Sequence, residues 1–149
     1  MGFLEWLEAG ALGVFVRESL WGYPITLSSH AVGMAVVVGV VVALNMRVLG
    51  FARGISIQAF DRIFLVGWLG FLLNLVSGIV LFAGSATDYI TQGAFQLKLL
   101  GIIVGGILMK VVMNAVREGK GQKLVKSYSA ACLACWGLAV VTGRLMAYV

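Results

Sequence analysis

The chain has one histidine, His30, and it falls inside an apolar run. A neutral imidazole in such a setting can ligate haem iron or another metal, bond a quinone carbonyl or relay a proton. The plainer role is structural, with the ring bonded to a neighbouring helix, because ionisable groups at membrane depth are costly and turn toward protein. The cations Lys98 and Arg144 also fall within apolar runs, as does Lys110 in the inner half of its run, where reaching the cytoplasmic interface is its expected role. An imidazole near two cations is what an anionic cofactor would want: haem propionates pair with Lys and Arg, and a semiquinone or another organic anion would be served equally. The alternative is that the two cations lay their stems along apolar surface and reach the headgroups. His30 is thus the candidate metal ligand. His30, Lys98 and Arg144 together are the candidate cofactor site, with haem b the favoured ligand.

A six-coordinate haem would need a methionine or a second protomer, since the chain offers one histidine. Met34 lies four residues after His30 on the same helix face, a spacing at which one helix does not supply both axial ligands. Met146 matches the depth of His30 better than Met109 and Met113 do. Methionine is a common apolar gap-filler, and core packing is the expected role of these residues. Cys132 and Cys135 form a C-x-x-C, but inside an apolar run a thiolate is strongly disfavoured by desolvation. Asn45 and Asn74 are expected to bond across helices. No phosphate loop, nucleophile elbow or HExxH is present, and Asp61 is the only acid near a span. An enzyme built on paired carboxylates is therefore not expected.

The elements that must position these residues are membrane spans. Of 149 residues, 61% are hydrophobic and only 11% charged, against about 25% in a soluble domain; the mean hydropathy is +1.03. So few charges could not cover a water-facing surface. Four runs reach the roughly 20 residues a helix needs to cross a hydrocarbon core: 24–49, 63–83, 95–116 and 127–149. Lipid requires every backbone polar group to be paired within its segment, which selects helices. The expected fold is all-α, a single membrane domain over 1–149, with the four spans packed as an antiparallel bundle. Residues 1–20 form a separate amphipathic helix lying in the interface, with Phe3, Leu4, Leu7, Ala11, Val14 and Phe15 at three- and four-residue spacing. Glu5 and Glu8 stand where a signal peptide would need positive charge.

Loop charges set the orientation. The first loop carries Arg47, Arg53 and Arg62 against Asp61; the third carries Arg117, Lys120, Lys123 and Lys126 against Glu118; the second holds only Asp88. By the positive-inside rule the first and third loops are cytoplasmic. Both termini are then periplasmic, in a bacterial inner membrane. The net charge of +5 thus faces anionic lipid, not nucleic acid. In this frame His30 lies about 9 Å below the start of the first span. Lys98, Arg144 and Ser77 come to a similar depth near the outer face. Small residues (Gly33 and Gly39, the Gly101/Gly105 pair with Gly106, Ala130, Ala134 and Gly137) predict close helix contacts, within the chain or in a homo-oligomer or larger complex.

Three segments, RESLWGYPITLSSHAVGMA with ALNMRVLG, then FQLKLL, and WGLAVVTGRLMAY, are similar to a bacterial family of four-helix integral membrane proteins of unknown function. The resemblance covers nearly the whole chain. Its anchors include Tyr23, Pro24, His30, Gly33, Arg47, Gly50, Phe95, Lys98, Gly143, Arg144 and Tyr148. It implies the four-span fold and adds weight to His30, Lys98 and Arg144 as a group. The family pattern often has an acid where this chain has Leu27 and an Asp where it has Asn45, a departure that weakens a proton-relay reading. More loosely, the H-x-x-G opening helix resembles four-helix membrane cytochromes and copper-resistance membrane domains. In those such a histidine binds haem, with several histidines where this chain has one. The readings that follow are a cofactor- or ligand-binding membrane subunit, a cofactor-free accessory or scaffold subunit, or a small oligomeric transporter or channel.

Overall fold

A computed structural model of the protein describes residues 2–51, 54, 59–146 and 148, with the side chains of residues 59–61 excepted. Arg53, the Asp61 side chain and Val149, the expected end of the fourth span, lie outside the described residues. All regular structure among those residues is helical. The helices are α1 (Phe3–Ala9), α2 (Ala11–Glu18), α3 (Gly22–Leu49), α4 (Ala59–Gly84), α5 (Ala86–Thr91), α6 (Gly93–Arg117) and α7 (Gln122–Leu145). The all-α class is what the sequence predicted. α3, Arg62–Gly84 within α4, α6 and α7 are each long and apolar enough to cross a membrane.

The expected spans fall inside these helices, apart from the end of the fourth, and the helices begin earlier. α3 starts at Gly22, so Pro24 occupies its first turn, where the missing N–H is no loss. α3 ends on Gly50 at φ 104, with Phe51 N–H donating to Met46 O at 3.0 Å. α6 ends the same way on Gly119 at φ 65, with Lys120 N–H donating to Ala115 O at 3.0 Å. These two positions need glycine because the left-handed backbone strains a side-chain-bearing residue.

Residues 1–20 are two helices, not one. Gly10 is extended, closes α1 and starts α2. The second loop contains a further short helix, α5, that the sequence reading did not foresee.

The chain forms two compact units. The first, Met1–Val37 with Phe64–Thr91, holds α1, α2, the first half of α3, most of α4, and α5. Within it α3 and α4 run antiparallel in near backbone contact: a Cβ on Gly33 would stand 2.7 Å from Asn74 N and 2.9 Å from Gly70 O. The second unit, Val38–Ile63 with Gln92–Val149, holds the second half of α3, α6 and α7. Within it α6 and α7 run antiparallel along the predicted Gly101/Gly105 face. A Cβ on Gly101 would stand 3.1 Å from Cys135 O, and one on Gly105 2.8 Å from Trp136 Nε1. Other glycines of the small-residue pattern do no such work: among the described residues, nothing comes within 4 Å of a Cβ built on Gly39, Gly106 or Gly137.

Candidate functional site

His30 is half-buried in the first unit, and its ring is tied to α4. Nδ1 lies 3.0 Å from the Asn74 carbonyl oxygen and 3.1 Å from Ser77 Oγ. A carbonyl can only accept, so Nδ1 carries the proton and Nε2 is the basic nitrogen of the neutral ring. Ser77 fits this assignment, because its hydroxyl donates to Leu73 O at 2.6 Å, which leaves its oxygen as an acceptor for the imidazole. Asn74 returns the bond: its Nδ2 donates to His30 O at 2.8 Å. Each side chain thus bonds the other residue's backbone. The expected company of Ser77 is present, and Asn74 bonds across helices as predicted. The ring also needs Gly78, whose built Cβ would lie 3.1 Å from His30 Cε1.

Lys98 and Arg144 belong to the second unit. The aliphatic stem of Lys98 lies across Gly143, 3.4 Å from where a Cβ would stand. The Arg144 guanidinium donates to Tyr148 Oη at 3.0 Å and lies 5.4 Å from the centre of that ring. This i, i+4 pair is exposed, as a cation at the end of a span is when its head reaches the interface.

A second polar group lies deeper. Asn45, Ser129 and Cys132 are all at 0% exposure. Ser129 Oγ donates to Asn45 Oδ1 at 2.6 Å, and Asn45 Nδ2 donates to Val41 O at 2.8 Å. Weaker contacts run from Nδ2 to Met109 Sδ at 3.8 Å and Cys132 Sγ at 3.7 Å, and from the Cys132 thiol to Gly105 O at 3.6 Å. The donors and acceptors of Asn45 are thus met inside the unit. Cys132 and Cys135 are free thiols, and Cys132 takes part here as a small packing group. Sequence reasoning named Asn45 but not Ser129. Depth bookkeeping would have found it, since both stand a few residues inside the same ends of their spans.

A third group was missed, outside the spans. Glu8 Oε1 accepts from Thr87 N–H and from Thr87 Oγ–H, each at 2.7 Å, and so caps the first turn of α5. Arg17 Nη2 donates to Glu8 O at 2.8 Å and Nη1 to Gly84 O at 3.3 Å, at the C-terminal end of α4. Thr87 donation, aided by Arg17, holds the Glu8 carboxyl below the ordinary 4.5. A Cβ on Gly13 would stand 2.6 Å from Ala83 O, so α2 also runs close to the end of α4. The spacing of 79 residues between Glu8 and Thr87 carries no local signal.

Among the described residues no three of His, Cys, Asp and Glu gather as metal ligands do. No family model, curated protein or solved structure matches the chain. What the fold and these polar groups define is an integral membrane protein of the multi-pass class.

Proposed function

We propose that the protein is a structural subunit of a membrane complex, one that works by packing and carries out no chemistry of its own. The observation that carries this reading is the reciprocal bond between His30 and Asn74. A polar residue in a span is by default a candidate for function. Here the one histidine spends its Nδ1 proton on the backbone of α4, and α4 returns the bond, which is how polar groups hold membrane helices together. Asn45 and Ser129 are used the same way. The apolar face of α4, with Leu65, Leu69, Leu72, Val76 and Ile79 exposed, is left for lipid, a second copy of the chain or a partner protein. To this reading belong closure of the four spans into one antiparallel bundle, a bacterial inner-membrane location with both termini periplasmic, residues 1–20 lying in the interface, and membership of the four-helix family that the sequence resembles. The loop charges support the orientation.

A second reading, haem b or a related metal group on His30, is favoured by one observation. A histidine with Nδ1–H on a backbone carbonyl is in the tautomer, and the fixed orientation, that ligation through Nε2 requires. The chain offers one histidine as an axial ligand. Bound haem would supply one-electron or gas-binding chemistry; the chain's part would be to hold the ring.

Visible absorption of detergent-purified protein, oxidised and then reduced, separates the two. The structural reading expects no Soret band, and a lower melting temperature in His30→Ala and in Asn74→Ala. A Soret band that His30→Ala removes would overturn it in favour of the second. A photo-cross-linker at Leu72 is expected to give a discrete protein adduct in the membrane, and lipid adducts alone would refute the role in a complex.

A further inference from the structure

We infer that the second unit carries a binding site for the headgroup of an anionic phospholipid, between the C-terminal ends of α3 and α6 and the start of α7. A cavity of about 230 Å³ lies there, lined by Leu44, Arg47, Val48, Met113, Val116, Lys120, Gln122 and Val125. Its lining divides by chemistry. Arg47, Lys120 and Gln122 supply two cations and an amide. The other five are apolar: Leu44 and Val48 from the last two turns of α3, Met113 and Val116 from the last two turns of α6, and Val125 from the first turn of α7. Cations beside an apolar wall suit a phosphodiester with its acyl chains. Free phosphate would have no use for the wall, and basic pockets at the ends of membrane helices take lipid headgroups on these grounds.

Charge around the cavity points the same way. Residues 117–126 contain Arg117, Lys120, Lys123 and Lys126 against the one acid Glu118. Glu118 pairs with Lys120 at 2.9 Å, with the two side chains about half exposed. An exposed pair of this kind contributes little, so Lys120 can turn from it to a phosphate at small cost. Arg47, on the last turn of α3, brings the planar donor fork that suits two phosphate oxygens. Arg47 stands in the last turn of α3 and Lys120 in the turn between α6 and α7, the level at which headgroups lie. The inference does not depend on how His30 is used.

Native mass spectrometry of the full chain in detergent, with phosphatidylglycerol and phosphatidylcholine added together, tests it. The expected result is one retained phosphatidylglycerol per chain, in preference to phosphatidylcholine. Lys120→Gln should weaken that retention about fivefold and R47Q with K120Q about 25-fold, at roughly fivefold per cation. The double variant K123Q with K126Q removes the same charge without touching the cavity lining, and should leave the preference nearly intact. Val116→Trp, which fills the cavity and keeps every charge, should abolish retention. Equal retention of the two lipids would overturn the inference. So would an equal loss in K123Q with K126Q, which would mean bulk electrostatics. Displacement of the lipid by millimolar inorganic phosphate would overturn the lipid assignment in favour of a free phosphate ion.

Discussion

The two units hold their helices with polar groups of different design. In the first, His30 and Asn74 each bond the other's backbone, in a half-buried setting, and the backbones come together because Gly33 has no side chain. In the second, Asn45 and Ser129 bond side chain to side chain at 0% exposure. The first design depends on a distance between helices. The second depends on two particular side chains being present together. The difference decides what kind of substitution breaks each.

The largest effect should come from closing the gap that the first design needs. Gly33→Ala places a methyl group against the Asn74 backbone, and overpacking of this kind costs about 1–3 kcal/mol. Thermal unfolding in detergent should show a clear drop. Gly39→Ala, on the same helix but with open space around it, should be neutral or slightly stabilising, since alanine favours helix by up to about 1 kcal/mol over glycine. Equal losses in the two would show that close approach at Gly33 is not what holds α3 to α4.

Next comes Ser129→Ala, which leaves Asn45 Oδ1 buried without its 2.6 Å donor. A buried unsatisfied acceptor costs about 1–3 kcal/mol. Because these two side chains bond each other, Ser129→Ala and Asn45→Ala should be coupled by 0.5 kcal/mol or more in a double-mutant cycle, roughly the lower limit for residues in contact.

The same cycle on His30→Ala and Asn74→Ala sharpens the contrast. Each variant removes its own bond to a carbonyl that the other substitution leaves in place. The two losses should each be about 0.6 kcal/mol, and at most roughly 1.7, the mean and maximum for polar bonds between membrane helices. They should add to within about 0.5 kcal/mol. Strong coupling at this pair would mean that the side chains meet directly, and the proposed difference in design would fail.

The smallest effect lies outside the spans. Glu8 is held below its ordinary 4.5 by Thr87, with Arg17 assisting. A carboxylate with a lowered pKa stabilises the fold above its ordinary value, and the contribution is lost as pH falls through the lowered one. Trp6 fluorescence or proteolysis near Gly10 should therefore report loosening of α1 only below pH 4.5. Glu8→Gln should remove the acid transition. A transition unchanged in that variant would assign it to another group.

Much of the architecture could be read from residue types. Lipid leaves the backbone one economical choice over 20 apolar residues, so the four long helices followed from hydropathy alone. Gly33, Gly101 and Gly105 announced close contacts, and Asn45 and Asn74 announced bonds across helices, because an unpaired amide in hydrocarbon is too costly to keep. The partners were harder. Ser129 was passed over because a serine in a span looks innocuous until its depth is matched to that of Asn45. α5 and its Glu8 cap were invisible, since six residues carry no readable periodicity and the cap comes from far away in the chain.

By itself, then, the sequence determined the all-α class, the four helices able to span a membrane, and which polar residues would have to find partners. Hydropathy and charge are properties of each residue and act through the solvent, so they need no knowledge of neighbours. Only the tertiary structure decided that the Nδ1 proton of His30 goes to a backbone carbonyl, that Arg144 turns to Tyr148 and Lys98 lies over Gly143, and that Arg47 and Lys120 share a cavity. Apart from the local Arg144–Tyr148 pair, four residues apart, those outcomes depend on how remote parts of the chain approach one another, which helix packing sets and no local pattern encodes.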